Sequence, residues 1–333
     1  MAFQRAAVIG GGAWGTALAA LLARNGVPTR LFARESEVAT AINEQRENVL
    51  FLPGVRLPDA LEATDSLTEA ARDADAFVLV APAQHARAIG ASLKAVAPDD
   101  AAILLCAKGI EQQSGLLLTE VFGEIWPRAR LAALSGPSFA RDVAIGLPTA
   151  VTLACPDATL GARWLASLSA PSFRPYLSDD LIGAELGGAV KNVLAIAAGA
   201  VDGKGLGESA RAAIIARGFA EFQRLGVALG ARAETMVGLS GLGDLILTAT
   251  SAQSRNMSLG RALGAGAAAA DVLSARNSVA EGAATAPALV AMAKKAGVDM
   301  PVCAAVADLV SGARRIDEVI VDLMARPLKP ERT

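Results

Sequence analysis

Aromatic side chains make up only 4% of this 333-residue chain, and histidine occurs once, as His85. So small an aromatic share leaves Ala, Leu and Val to fill the interior, and these must pack closely. Cysteine occurs three times, as Cys106, Cys155 and Cys303, scattered and odd in number. That pattern excludes a disulfide framework and points to a reducing compartment. Three unclustered cysteines and a single histidine also exclude a zinc centre, so no metal is expected. No block of like charge stands out, and the formal net charge is −2, which carries no footprint for nucleic acid. A strand begins within about five residues of the start, leaving no room for a signal peptide. The longest apolar stretch, Leu186 to Val201, is interrupted by Lys191-Asn192 and falls short of a comfortable bilayer span. These absences lead to the expectation of a cytoplasmic protein without membrane insertion.

What remains is apolar and ample: 53% hydrophobic residues against 19% charged ones exclude disorder and supply a core. The length exceeds one usual domain, so two are expected. In the first half, short apolar runs alternate with helical patterns, at 6–10, 29–33, 76–81, 102–107, 131–134 and 149–154. Such alternation predicts a doubly wound, mostly parallel sheet with helices on both faces, an α/β domain over residues 1–180. Residues 173–177 add a candidate edge strand. Beyond about residue 180 strand patterns stop, and Ala-, Gly- and Leu-rich helical segments predict an all-α domain over 181–326. Gly203-Lys204-Gly205-Leu206-Gly207 and residues 264–270 lie between such segments and read as helix connections. Residues 327–333 are expected to form a disordered tail.

Glycine is concentrated where it is most informative. Gly10, Gly12 and Gly15 satisfy G-x-G-x-x-G directly after the first strand and at the start of a helix. In that context the first glycine makes a tight turn, the second lets a pyrophosphate approach the backbone, and the third lets helix and strand pack closely. The positive end of the helix then holds the phosphates of a dinucleotide. Trp14 either lines the cofactor groove or simply packs. An acid for the NAD ribose usually follows about 20 residues on. Arg34 stands there, beside Glu35. Arginine fits the 2′-phosphate of NADPH, with a solvated loop charge as the alternative reading.

Ligands in open parallel sheets bind beyond the carboxyl ends of the strands. Those ends carry Gly10, Arg34, Pro82, Lys108 and Ser135-Gly136-Pro137-Ser138. Lys108 ends an otherwise apolar strand, where a cation would meet a substrate. Lys191 lies in the apolar stretch 185–196, where its side chain should lean back over Gly187 and Gly188. Apolar neighbours oppose its protonation, which suits proton transfer. Asp244 and Thr248 share a face if a helix opens after Ser240, and Lys191 is the candidate partner for that acid. Ser254-Arg255-Asn256 sets three polar groups together, and arginine grips phosphate in a bidentate fork. His85 sits near the cofactor crevice but at the start of a helix, where a catalytic role is the minor reading. Cys106 reads as a small core residue.

Taken in order, Gly10-Gly11-Gly12-Ala13-Trp14-Gly15-Thr16-Ala17, Ala107-Lys108-Gly109, Ser135-Gly136-Pro137-Ser138-Phe139-Ala140, Gly187-Gly188-Ala189-Val190-Lys191-Asn192, Gly241-Leu242-Gly243-Asp244-Leu245 and Ser254-Arg255-Asn256 resemble the bacterial NAD(P)-dependent glycerol-3-phosphate dehydrogenases. Val279-Ala280-Glu281-Gly282 looks like the family's later cofactor-side motif, and the likeness spans nearly the whole chain. The resemblance implies a Rossmann domain followed by an all-helical domain, usually in a homodimer. Its implied activity is reversible reduction of dihydroxyacetone phosphate by NADPH or NADH to sn-glycerol 3-phosphate for phospholipid synthesis. It makes Lys191 the acid–base group, with Lys108, Asp244 and Thr248 in the same polar cluster. Gly136, Ser138, Ser254, Arg255 and Asn256 would hold the phosphorylated substrate. Gly10, Gly12, Ala13, Trp14, Gly15, Arg34, Lys108, Ala140, Arg255, Val279 and Glu281 would contact the cofactor. Ala249, Met257 and the pair Ala283-Ala284 depart from the family pattern, and Met257 bears on phosphate binding. Two rivals stand beside this reading. A hydroxyacid or 6-phosphogluconate-type dehydrogenase would carry asparagine four positions after its lysine, whereas Ala195 stands there. A non-catalytic NADP-binding sensor would have no use for Lys108, Lys191 and Asp244 together.

Overall fold

A computed structural model describes residues 1–274 and 280–327. Val279 and residues 328–333 of the expected tail lie outside the described residues. The chain forms two compact units, one from Met1–Gly188 with Gly230–Asp244, the other from Ala189–Leu229 and from Leu245 onward.

The first unit is built on eight strands: β1 (Ala6–Ile9), β2 (Thr29–Phe32), β3 (Leu61–Thr64), β4 (Ala76–Leu79), β5 (Ala102–Leu105), β6 (Arg130–Ser135), β7 (Thr149–Ala154) and β8 (Phe173–Ser178). Their order is β3-β2-β1-β4-β5-β6-β7-β8. Every neighbouring pair is parallel except β6 and β7, which run antiparallel. β1, β4 and β5 are buried at every position, which is why they read as unbroken apolar runs. One face of the sheet packs Leu18 and Leu22 of the helix Ala13–Arg24, and the other packs Leu93, Phe122 and Trp126. β8 forms one edge of the sheet, where Pro175 is tolerated because an edge residue need not donate on both sides. β3 was not expected. Leu61-Glu62-Ala63-Thr64 alternates buried with more exposed positions, and four residues are too few for that alternation to stand out. The sheet order turns back between β1 and β4, which makes their carboxyl ends the switch point.

No strand follows β8 among the described residues, and the chain continues in helices. The longest, Leu181–Gly203, has 23 residues, more than the apolar stretch read from sequence. By length and composition it could cross a bilayer, but 83% of its apolar window is buried inside the fold. Within the second unit it crosses the helix Arg255–Gly264 on glycine. A Cβ on Gly199 or Gly203 would come 2.1 Å from the carbonyl oxygen of Met257 or Arg261, and one on Gly260 or Gly264 would come 2.1 Å from that of Ile196 or Ala200. Bare backbone on both sides thus replaces the aromatic filling that the composition lacks. The crossing fixes where Arg255-Asn256 lies relative to Lys191-Asn192. Loops at 204–207 and 265–268 connect helices, as their glycines suggested.

Candidate active site

The glycine turn sits at the carboxyl end of β1. Gly10 has φ +130°, and a Cβ there would meet the backbone of Ala81 and Val80 at 3.1 and 3.2 Å. Gly15 is closer still, since its Cβ would lie 1.9 Å from the Gly10 carbonyl oxygen. Gly11, outside the G-x-G-x-x-G pattern, is also obligatory because its Cβ would fall 2.5 Å from that of Ala33. Gly12 meets nothing within 4 Å and is exposed, so the second glycine leaves open space. It is the N-cap of the helix Ala13–Arg24 and offers no side-chain cap. Half-buried Trp14 follows, its indole Nε1 buried without a hydrogen-bond partner. An open backbone cradle, an uncapped helix start and a donor lacking a partner fit the pyrophosphate and neighbouring groups of a dinucleotide.

Asn48 was missed by sequence reasoning. Its fully buried amide donates to the Gly11 carbonyl and to Thr16 Oγ1, both at 2.8 Å, while its Oδ1 accepts from the N–H of Phe51 at 3.0 Å. It fixes the turn from outside. No periodicity marks a residue that acts through so distant a contact. Arg34 follows β2, exposed, and donates to Glu35 at 2.8 Å.

Lys108, just past β5, donates to Asp244 Oδ2 at 2.7 Å and to the Gly136 carbonyl at 3.0 Å. Asp244 is fully buried and Lys108 partly so. Lys108 as a partner of this acid was not foreseen from sequence. Gly136, at φ +146°, brings β6 against Val151, and Ser138 Oγ donates to the same Gly136 carbonyl at 3.2 Å. Ala140 opens the short helix Ala140–Ala144. Gly187 and Gly188 do clear space, for a different purpose from the one expected. A Cβ on Gly187 would lie 2.5 Å from the Ser240 carbonyl oxygen, and one on Gly188 would lie 2.9 Å from Ser135 Oγ and 3.1 Å from Lys108 Cγ. The lysine stem and the turn before Asp244 occupy that space.

In the second unit, Lys191 Nζ donates to Thr248 Oγ1 at 2.9 Å. Thr248 belongs to the helix Asp244–Thr250, which opens after a π-helical turn at Leu239–Gly243. Asn256 donates to Asn192 Oδ1 at 2.9 Å and accepts from the N–H of Gly282 at 3.1 Å, which ties the start of the helix Glu281–Lys295 to this cluster. Ser254 caps its own helix by accepting from the Met257 N–H. Of the tripeptide, Arg255 is the member whose side chain is exposed. Met257 is fully buried, packed in the core rather than offered to a ligand, and Ala249 is buried as well. Glu281 is half-buried.

His85 is exposed, in the turn between β4 and the next helix. All three cysteines are buried and free, and burial pushes their thiols up, so they behave as core residues.

Family models described as the N-terminus and the C-terminus of NAD-dependent glycerol-3-phosphate dehydrogenase match residues 5–161 and 180–321. The glycerol-3-phosphate dehydrogenase [NAD(P)+] of Parvibaculum lavamentivorans is 54% identical, with 99% of each chain covered. That of Caulobacter vibrioides is also 54% identical, with 99% of this chain and all of that one covered. Among solved structures, the glycerol-3-phosphate dehydrogenase of Coxiella burnetii superposes with a TM-score of 0.93 at 36% identity, over 97% of this chain and 99% of that one. With both halves matched and full-length relatives above half identity, this chain belongs to the NAD(P)-dependent glycerol-3-phosphate dehydrogenase family.

Proposed function

We propose that the chain reduces dihydroxyacetone phosphate to sn-glycerol 3-phosphate, reversibly and with NADPH or NADH, and so supplies glycerophospholipid synthesis. Gly10, Gly12, Ala13, Trp14 and Gly15 would hold the dinucleotide together with Arg34, Ala140, Val279 and Glu281. When bound, the dinucleotide supplies the hydride. Lys191 gives a proton to the developing alkoxide during reduction and takes it back during oxidation. Thr248 orients that amine. Lys108, held by Asp244 and the Gly136 carbonyl, places positive charge near the substrate oxygens. Gly136, Ser138, Ser254, Arg255 and Asn256 form the substrate-binding set, with Arg255 supplying the bidentate fork for phosphate.

We also assign dinucleotide binding to residues 1–180 and substrate chemistry to residues 181–326, in a cytoplasmic homodimer whose assembly light scattering after gel filtration would measure. The observation that supports the reading is the Lys191–Thr248 hydrogen bond, made by an amine with apolar neighbours on its helix in a chain with these relatives. The test is NADPH oxidation followed by absorbance. Turnover is expected with dihydroxyacetone phosphate and not with unphosphorylated dihydroxyacetone. Lys191→Ala should lower turnover by about three orders of magnitude, in the range of acid–base catalysis, while NADPH still binds. Near-normal turnover in that variant removes Lys191 from the chemistry.

A further inference from the structure

We propose that Gln84, with the Arg87–Glu111 ion pair behind it, is a positioning residue that sets the backbone from which Lys108 reaches the substrate. This inference rests on the assignment of Lys108 to the substrate site. Lys108 leaves the sheet at the end of β5, where the strand ladder no longer holds it. Upstream, the Cys106 N–H donates to the Leu79 carbonyl at the end of β4 at 2.9 Å. Downstream, Gln84 makes two bonds to one short stretch: its amide nitrogen donates to the Ile110 carbonyl at 2.8 Å, and its Oε1 accepts from the Gln112 N–H at 2.9 Å. Gln84 lies in the turn that directly follows β4. Lys108 is therefore bracketed on both sides by the same segment, and the two fastenings are only four residues apart in its chain.

One turn further, Arg87 grips Glu111 through Nε at 2.9 and 3.1 Å and through a terminal nitrogen at 2.8 Å. Glu111 is buried, and Ser114 Oγ donates to it at 2.6 Å, while the Glu111 N–H donates to the Leu116 carbonyl at 3.0 Å. The Arg87 guanidinium holds the Glu111 carboxyl below its usual range, so the pair stays ionised. A bidentate, partly desolvated fork of this kind fixes direction as well as distance. The bonds of Gln84 and Arg87 to this stretch fall on Ile110, Glu111 and Gln112. Their effect is on where the Lys108 Cα sits, and small displacements of a binding group carry large rate penalties.

The experiment is a double-mutant cycle on the intact enzyme with Gln84→Ala and Lys108→Ala, alone and combined. Gln84→Ala should lower kcat/KM for the phosphorylated ketone about tenfold, mainly through KM. NADPH affinity, measured by fluorescence titration, should change less than about twofold. In the Lys108→Ala background the same substitution should have no further effect, because nothing remains to be positioned. Gln84→Glu, which keeps the acceptor for Gln112 and loses the donor to Ile110, should give an intermediate loss with the melting temperature held. Glu111→Gln should reproduce the pattern more weakly. Equal losses in both backgrounds would overturn the inference, as would full activity in Gln84→Ala. Wild-type activity in Lys108→Ala would sink the assignment of Lys108 and the inference with it, whereas a crippled Lys108→Ala beside an unaffected Gln84→Ala would refute the inference alone.

Discussion

The role in cofactor choice proposed for Arg34 follows from its exposure. Its side chain is 86% exposed and donates to its neighbour Glu35. An exposed pair of this kind is worth about 0–1 kcal/mol. A 2′-phosphate can therefore draw the guanidinium away at little cost and gain a charge-assisted bond of about 1.5–3 kcal/mol. Arg34→Ala is expected to raise KM for NADPH by about tenfold or more and to leave that for NADH within about twofold. Steady-state kinetics with both reduced cofactors measure this, and an unchanged ratio removes Arg34 from the selection. Residues of this sort are legible because they stand at strand ends, where ligands bind in open sheets. Asn48 and Gln84 are not legible. Each acts on a segment tens of positions away in sequence, through a side-chain amide that fits no period and no motif.

Glu185 shows how one helix depends on another for its pH response. It lies on the helix Leu181–Gly203 and accepts from the Thr119 N–H at 3.1 Å and from Thr119 Oγ1, capping the start of the helix Leu118–Ile125. Burial pushes its carboxyl up to about 7, against the pull of the Thr119 bonds. The folded state thus binds this proton more strongly than the unfolded chain, where a glutamate titrates near 4.3. Glu185 therefore leaves stability intact below about pH 4, removes it progressively as pH rises toward about 7, and costs about 4 kcal/mol above that. Glu185→Gln keeps an acceptor and discards the charge. Its urea midpoint should exceed that of the wild type at pH 8 and converge with it near pH 4.5. A constant offset at every pH would show that the carboxyl does not titrate there. Elements themselves were legible in proportion to burial. β1, β4 and β5, covered on both faces, announce themselves as apolar runs, while β3 at the sheet edge does not. Gly203 and Gly264 read as helix connections in sequence because their benefit, backbone contact with another helix, is tertiary.

At the scale of the whole molecule, the path of the chain could not be read from pattern. Composition changes near residue 180 and helices follow without interruption. Yet residues 230–244 rejoin the first unit, for reasons that only their contacts reveal. Within that unit the Arg232 N–H donates to Asp180 Oδ2 at 2.9 Å, and the Arg232 side chain pairs with Asp179. The Ser240 backbone fills the place of the missing Gly187 side chain, and Asp244 forms the buried pair with Lys108. Ala133 and Ala154, on β6 and β7, are covered by Ala184 and Leu181. A fragment ending at residue 180 therefore keeps every strand and loses what closes the sheet. Removing one partner of a buried ion pair costs about 3–5 kcal/mol. In a unit of this size each kcal/mol lowers the melting temperature by about 2–4 °C. The fragment 1–180 should then melt roughly 10 °C below a chain in which residues 1–188 are joined by a flexible linker to 230–244, and over a broader range. Calorimetry on the two proteins decides it. Matching transitions would mean that the returning segment is a passenger on the sheet, and that the Lys108–Asp244 pair contributes nothing to holding it.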